Sequence, residues 1–220
     1  MKKLIILSVL AILTLTSCLN YIQNVTIYPD GSGKMQVDYW MKYTDTSNVA
    51  TILKLEIFNP DSIKKEFSSK FIKMLNVQTN ADTTDSTIHA IIDLSFNNID
   101  SLNTVHAFSQ SNFKLEDGAA GQKVFTQFIP PVTTGFGING DQFRVTYNYD
   151  IRGEIITHNA TGKSGNILTW SYTLSEIGRG KTILVTFKPF KLKETPYWIY
   201  YLAGFVLIIV IFYLLKKKKD

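Results

Sequence analysis

Apolar and polar residues alternate along most of the chain between its two terminal segments. The clearest case occupies every second position of one stretch, at Ile88, Ala90, Ile92, Leu94 and Phe96. A period of two places successive side chains on opposite faces, which is typical of a strand with one buried face. The alternation predicts strands at residues 21–28, 34–43, 88–96, 124–129, 145–151, 167–173 and 182–187.

The first two predicted strands are separated by a short turn. It reads Pro29-Asp30-Gly31-Ser32-Gly33, and its glycines allow the positive φ that tight turns require. Polar residues thus interrupt the alternation for only a few positions before it resumes in residues 34–43. We therefore expect residues 21–28 and 34–43 to pair as an antiparallel hairpin.

One segment shows helical rather than strand periodicity. Asn59 is a suitable N-cap, and Pro60 would occupy the first helical position. Apolar residues then recur at spacing four, at Ile63, Phe67, Phe71 and Leu75. This pattern predicts a main helix over about residues 60–73, and residues 100–108 suggest a second short helix. The predicted fold class is α+β, a curved antiparallel sheet of about 7–9 strands with the main helix packed on its concave side.

The chain opens with a basic and then an apolar segment that ends at its only cysteine. Lys2 and Lys3 precede the apolar stretch 4–14, which is well short of the roughly 20 residues needed to span a bilayer. The sequence Leu15-Thr16-Ser17-Cys18 resembles the lipobox of bacterial lipoprotein signal peptides. The resemblance implies that residues 1–17 are removed and that Cys18 carries a diacylglycerol, with palmitate among its acyl groups. An ordinary secretory signal and an uncleaved short anchor are the open alternatives.

A second apolar segment lies near the C-terminus. Residues 197–215 carry no charge, have aromatic residues towards both ends, and are followed by four lysines at 216–219. Their length suits one bilayer span, and the lysines mark the cytoplasmic side. We predict a transmembrane helix at 197–215 with a basic cytoplasmic tail at 216–220, a buried core helix being the alternative. Because helical spans are unsuited to the bacterial outer membrane, we expect the cytoplasmic (inner) membrane, with a domain of residues 18–190 on its extracytoplasmic side.

Charge looks different once the terminal segments are set aside. The whole chain has a formal net charge of +5, but six of its 23 basic residues lie in the two terminal segments. Residues 19–196 keep 17 basic and 17 acidic residues, because Asp220 is the one acidic residue outside them. A neutral domain gives no electrostatic reason to bind nucleic acid, and we exclude that partner. With one cysteine, the domain cannot form an intrachain disulfide.

Residue types that support catalysis or metal binding are scattered. His89, His106 and His158 are too far apart in sequence to form a metal-ligand motif, and the sole cysteine is expected to be acylated. Residues 135–140 match the spacing G-x-G-x-x-G, but a dinucleotide site needs a strand before it and a helix after it. Here two prolines precede and a predicted strand follows. We expect a non-enzymatic protein with no catalytic residue, metal or cofactor beyond the lipid on Cys18.

The order of these features carries a resemblance to a known family. The lipobox is followed by the Asp30–Gly33 turn, then by Gly153–Ala160, then by Gly165-Asn166 and Leu168-Thr169-Trp170, and finally by the apolar C-terminal segment. This order resembles the LppM-type envelope lipoproteins, a family of unknown function, although Arg152 stands where we expect a proline. The resemblance implies a domain similar in outline to lipid-binding helix-grip folds, with a cavity for an acyl lipid or glycolipid between sheet and helix.

Aromatic residues of the predicted helix and strands are the candidates for lining such a cavity. They are Phe67, Phe71, Tyr147, Tyr149, Trp170 and Tyr172. The alternative, that these residues form a solid core, stays open. The functional hypothesis is a doubly membrane-anchored envelope lipoprotein that binds lipid or glycolipid at the outer leaflet. Its rival is a structural or assembly subunit that docks another envelope protein through an exposed apolar patch.

Overall fold

The structure is a computed structural model that describes residues 19–43, 56–119, 121–131, 140–190 and 197–217. Cys18 with its predicted lipobox and the glycine-rich residues 135–139 lie outside the described residues, as does the end of the basic tail. The chain divides into two compact units, Met1–Phe190 and Lys191–Asp220.

Strands dominate the first unit. Its described residues form eleven strands: β1 (Leu19–Ile27), β2 (Gly33–Lys42), β3 (Ile72–Asp82), β4 (Thr87–Phe96), β5 (Lys114–Asp117), β6 (Lys123–Ile129), β7 (Arg144–Ile151), β8 (Gly153–His158), β9 (Gly162–Ser164), β10 (Ile167–Thr173) and β11 (Lys181–Pro189). Two short α-helices are described, α1 (Pro60–Phe67) and α2 (Leu174–Ile177). Short 3-10 helices cover Glu56–Phe58, Ile99–Thr104, His106–Phe108 and Gly140–Gln142.

Seven strands form one sheet in the order β3-β4-β2-β1-β7-β10-β9. The predicted hairpin of β1 and β2 is confirmed: Val25 lies opposite Met35, and Gly31 in the turn has a φ of 84°. Neighbouring strands are antiparallel except β1 and β7, which run parallel. The prediction of a purely antiparallel sheet was wrong at this pair, because β7 pairs with the free side of β1 from far along the chain.

The other four strands form a second, antiparallel sheet in the order β5-β6-β11-β8. The prediction of a single curved sheet was therefore wrong. Phe125 of β6 and Val185 of β11 are fully buried, and the Phe125 ring lies 4.9 Å from the ring of Tyr149 in β7. Each sheet thus has one apolar face, and the two faces pack together as in a sandwich.

The predicted main helix is much shorter than expected. Asn59 does cap it, accepting a hydrogen bond of 2.9 Å from the backbone N–H of Asp61. The helix ends at Phe67, where the hydroxyl of Ser68 donates to the carbonyl of Lys64. From Ile72 the chain is β3, which pairs with β4 instead. The prediction of a helix to residue 73 was wrong because the pairing with β4 overrides a spacing that suited a helix.

The other elements predicted in the first unit are confirmed, but the structure also contains strands that were not predicted. All seven predicted strands exist, as β1, β2, β4, β6, β7, β10 and β11. The short helix predicted at 100–108 is confirmed as the two 3-10 helices Ile99–Thr104 and His106–Phe108. Four strands, β3, β5, β8 and β9, were not predicted. The α+β class holds, with far more strand than helix.

The second unit contains a helix of 21 residues, α3 (Tyr197–Lys217), at the position predicted for the membrane span. Across the residues that the structure describes, no helix reaches the combination of length and hydropathy required of a span. The membrane span stays a prediction.

Candidate functional site

A cavity of about 340 Å³ lies between the inner face of the seven-stranded sheet and β6. Tyr21, Tyr39 and Tyr147 line it from β1, β2 and β7, and Ile129 lines it from β6. Further lining comes from α1, α2 and the 3-10 helix His106–Phe108, through Phe67, Ala107, Phe108, Leu174 and Ile177. Small-molecule sites in proteins measure about 300–1,000 Å³, so the cavity is at the lower end of that range.

The cavity lining is uncharged. Among the described residues that line it, none is Asp, Glu, Lys, Arg or His. Its polar side chains are three tyrosines, two glutamines and one serine: Tyr21, Tyr39, Tyr147, Gln23, Gln127 and Ser111. Burying an ion without a countercharge is very costly, whereas an apolar group gains from leaving water. The cavity therefore suits a neutral, largely apolar ligand.

A chain of hydrogen bonds runs along the inner wall of the cavity. The hydroxyl of Tyr21 donates to Oε1 of Gln23 over 2.9 Å, and Nε2 of Gln23 donates to the hydroxyl of Tyr149 over 2.9 Å. The Tyr149 hydroxyl in turn donates to Oε1 of Gln127. Both glutamines are 1% exposed and Tyr149 is fully buried. Because a buried amide is costly without partners, these bonds hold the four side chains in one arrangement.

The tyrosine hydroxyls at the cavity are held in their neutral form. Burial, followed by the proximity of Tyr147 and Tyr39, raises the pKa of Tyr21 well above its ordinary value. Burial likewise raises the pKa of Tyr39 to about 12 and raises the pKa of Tyr147. The hydroxyls therefore serve as hydrogen-bond donors and acceptors at neutral pH, and they add no charge to the cavity.

Two short helices form one rim of the cavity. The ring of Phe67 in α1 meets the ring of Phe108 edge-on, with 5.3 Å between centroids. Ala107, next to Phe108, lines the cavity and is exposed to solvent. Leu19, the first residue of β1, is half-buried and also lines it. Ala107 is the exposed residue of the lining, so the cavity reaches the protein surface beside it.

The six aromatic residues predicted from the sequence take different positions. Phe67 and Tyr147 line the cavity. Tyr149 and Trp170 are fully buried in the core behind it, where the indole N–H of Trp170 donates to Oδ1 of Asn159 over 2.9 Å. Tyr172 is half-buried and lies outside the cavity lining. Phe71 is 53% exposed, because the predicted helix that carried it inwards ends four residues earlier.

The sequence interpretation missed the buried amides of the cavity. Gln23 lies between the inward-facing Tyr21 and Val25 of β1, and Gln127 lies between Phe125 and Ile129 of β6. A polar residue at a core-facing position of an alternating strand is the signal that could have identified each of them. The hydrogen-bond partners of the two amides depend on how distant strands pair, and the sequence pattern does not predict that pairing.

The histidines do not extend this site. His89 lies on the opposite face of the main sheet between Asp38 (Nδ1 to Oδ1, 3.2 Å) and Thr87 (Nε2 to Oγ1, 3.0 Å), and its ring stacks on Trp40. The Thr87 hydroxyl also donates to Asp85, and Thr87 is 1% exposed, so a substrate cannot reach it. Within the described ranges, no three or more His, Cys, Asp or Glu residues are grouped closely enough to hold a metal ion.

Comparison with known proteins adds a weak likeness of fold. No protein-family model matches the chain, and no curated protein matches it. Among solved structures, the chain is similar to the folded domain of the Mycobacterium tuberculosis LppM protein, determined by NMR. The two are 10% identical with a TM-score of 0.49, over 79% of this chain and 91% of that chain. A likeness at this level is too weak to decide the family or to transfer any residue's role.

Proposed function

We propose that the domain is a non-enzymatic binding module whose ligand places an acyl chain, from a lipid or glycolipid, in the cavity beneath the main sheet. The observation that supports this is the lining itself, which is apolar, uncharged and supplied with a fixed set of neutral hydrogen-bonding groups. An acyl chain satisfies the apolar walls. A carbonyl or hydroxyl near its end would meet the tyrosine hydroxyls at the wall.

The size of the cavity is consistent with one chain rather than a whole lipid. Burying a methylene group stabilises a complex by about 0.8 kcal/mol, so even a chain of moderate length gains several kcal/mol. The cavity volume of about 340 Å³ leaves no room for a second chain and a head group together. The proposal therefore has the rest of the ligand outside the rim at Ala107.

The proposed setting is the outer leaflet of the cytoplasmic membrane. Anchoring is proposed from the sequence, through a diacylglycerol on Cys18 and the uncharged span at residues 197–215. Leu19, the residue directly after Cys18, belongs to β1 and lines the cavity. A lipid anchor on Cys18 would thus bring this edge of the cavity to the bilayer, where acyl chains are abundant. A resident lipid-binding role suits such a short link better than transport to another membrane.

Photo-crosslinking tests the proposal on the full-length chain in lipid nanodiscs. The probe is a palmitate analogue with a diazirine at the end of its chain, and crosslinked residues are mapped by peptide mass spectrometry. We expect crosslinks on cavity-lining segments of β1, β7 and α2. Ala107→Trp, which places an indole at the rim, should abolish them, whereas Ala119→Trp at an exposed turn should not.

The same experiment also tests the rival role, which is docking on another envelope protein. Crosslinks confined to α3, or equal labelling in Ala107→Trp and Ala119→Trp, would mean that the cavity holds no chain. The protein would then be better regarded as a structural or assembly subunit, and its partner would be sought by protein–protein crosslinking in the membrane.

A further inference from the structure

The outer face of the seven-stranded sheet carries a continuous row of polar side chains. On β1, Gln23 and Val25 point into the core while Asn24 between them is exposed, so Asn24 belongs to the opposite face from the cavity. The strand registers place one polar residue of each neighbouring strand beside it. The row across six strands is Asn76, Asp93, Gln36, Asn24, Asn148 and Thr169.

Hydrogen bonds between neighbours fix this row in place. On one side, Asp93 accepts from Nε2 of Gln36 over 2.9 Å and from Nδ2 of Asn76 over 3.3 Å. On the other, Asn148 donates to Oδ1 of Asn24 over 2.9 Å and accepts from the hydroxyl of Thr169 over 2.8 Å. These bonds use Oδ1 of Asn24 and Nε2 of Gln36. Nδ2 of Asn24, a donor, and Oε1 of Gln36, an acceptor, lie outside the bonds of the row.

Five members of the row, from Asn76 to Asn148, form the floor of a groove, and Thr169 lies beyond its lining. The groove measures about 460 Å³, and Leu75 and Ile167 line it beside the amides. Leu75 is the extra residue of a β-bulge in β3, and it is 49% exposed; Ile167 begins β10 and is 45% exposed. A bulge turns a side chain out of the regular pleat, and here it places an apolar wall along a polar floor.

Charges along the groove balance. Asp93 and Asp150 line it together with Lys34, and Asp150 forms an ion pair of 2.8 Å with Arg152. Lys34 is the cation of the lining, and Arg152, outside the lining, neutralises Asp150, so the groove has no strong electrostatic preference for an anion or a cation. Groups that both donate and accept hydrogen bonds match a floor of side-chain amides, because each amide offers a carbonyl and an NH₂ group. Sugar hydroxyls are such groups, and the C–H faces of a sugar ring suit apolar walls.

We propose that this groove binds a neutral oligosaccharide. Asn24 and Gln36 form the centre of the site and bond hydroxyls of the sugar, while Leu75 and Ile167 contact its ring faces. A peptide is the less favoured ligand, since the groove floor presents side chains and its strands are already paired on both sides. The site lies on different residues and the opposite face from the cavity. The proposed sugar binding does not depend on the proposed acyl-chain binding.

Titration of the full-length protein with defined sugars tests the proposal. The probes are maltohexaose, cellohexaose and N-acetylchitohexaose, all of them neutral, and the detergent is octaethylene glycol monododecyl ether, which has no sugar head group. We expect at least one hexasaccharide to bind in calorimetry and to shift the side-chain amide NMR signals of Asn24, Gln36 and Asn148. The double variant Asn24→Ala/Gln36→Ala should weaken that binding roughly tenfold or more, since it removes two hydrogen-bonding groups.

The matched control is Gln78→Ala/Asn80→Ala, which removes the same two residue types from exposed positions of β3 outside the groove lining. It should bind the sugar as the wild type does. The proposal is overturned if none of the three sugars binds the wild-type protein, or if both double variants weaken binding equally. Amide shifts produced by a neutral hexapeptide and by no sugar would also overturn it, and would identify a peptide groove.

Discussion

The hydroxyl of Tyr149 joins the two halves of the buried hydrogen-bond chain, so its removal should be costly. Tyr149→Phe keeps the ring, which packs 4.9 Å from Phe125 and 5.9 Å from Trp170, and deletes one oxygen. Nε2 of Gln23 then loses its acceptor and Oε1 of Gln127 loses its donor. Both glutamines are 1% exposed, and water has little access to replace the lost bonds.

The expected loss of unfolding free energy in Tyr149→Phe comes from the two polar groups that are left unpaired. A buried polar group without a partner costs about 1–3 kcal/mol, so the two groups orphaned by Tyr149→Phe should lower the free energy of unfolding by about 2–6 kcal/mol. Gln23 keeps the bond from Tyr21 at its other amide atom, which favours the lower part of that range. Replacing Gln127 as well, by Leu, removes one of the orphaned groups. The double variant should therefore lose less stability than the two single variants added together.

Urea unfolding of the full-length protein, followed by tryptophan fluorescence, measures these differences. Trp170 lies beside Tyr149 and reports on this part of the core. Tyr172→Phe, a half-buried tyrosine outside the cavity, is the matched control and should change stability by less than about 0.5 kcal/mol. A loss for Tyr149→Phe no larger than that of the control, or strict additivity with Gln127→Leu, would show that the Tyr149 hydroxyl does not hold the two glutamines.

Three further predictions concern pH, packing and anchoring. Burial raises the pKa of Tyr39 to about 12, so the stabilisation that depends on its neutral hydroxyl is complete below pH 10 and is lost towards pH 12. In Tyr39→Phe, the free energy of unfolding should therefore fall less steeply between pH 10 and pH 12 than in the wild type. Gly33→Ala would place a Cβ 2.2 Å from the carbonyl oxygen of Thr26, whereas the Cβ of Gly162→Ala would meet no atom closer than 3.7 Å. Gly33→Ala should therefore lower the melting temperature markedly, and the control Gly162→Ala should not. Cys18→Ser should abolish metabolic palmitate labelling while leaving the chain in the membrane fraction; labelling that persists would contradict lipidation there.

Local alternation explains why most of the strands could be predicted. In β4, every inward residue from Ile88 to Phe96 is apolar and buried, and one window of sequence suffices to detect it. The failure at residues 68–75 has an equally local cause. Phe67, Phe71 and Leu75 happen to repeat at a helical spacing, yet Leu75 is the extra residue of a bulge and Phe71 lies in the turn before β3.

Pairing between distant segments could not be predicted in the same way. The parallel contact of β1 with β7 and the separation of β5, β6, β8 and β11 into their own sheet depend on packing across the whole domain. The candidate site also depends on contacts between segments that are distant in the sequence. Gln23 and Gln127 are joined through the hydroxyl of Tyr149, and the outer row requires five strand registers at once. Aromatic content alone therefore identified Phe67 and Tyr147 but did not separate them from core residues such as Trp170.

A chain-length series shows whether the cavity holds an acyl chain. Octanoate, decanoate, dodecanoate and palmitate compete with the diazirine probe on the wild-type protein and on Ala107→Trp, and competition is scored on cavity crosslinks. Each added methylene should strengthen competition by about fourfold, since its burial contributes about 0.8 kcal/mol. The gain should stop once the volume of about 340 Å³ is filled, and Ala107→Trp should show no cavity crosslink. Competition that is independent of chain length, or identical labelling in the two proteins, would mean that the cavity holds no acyl chain.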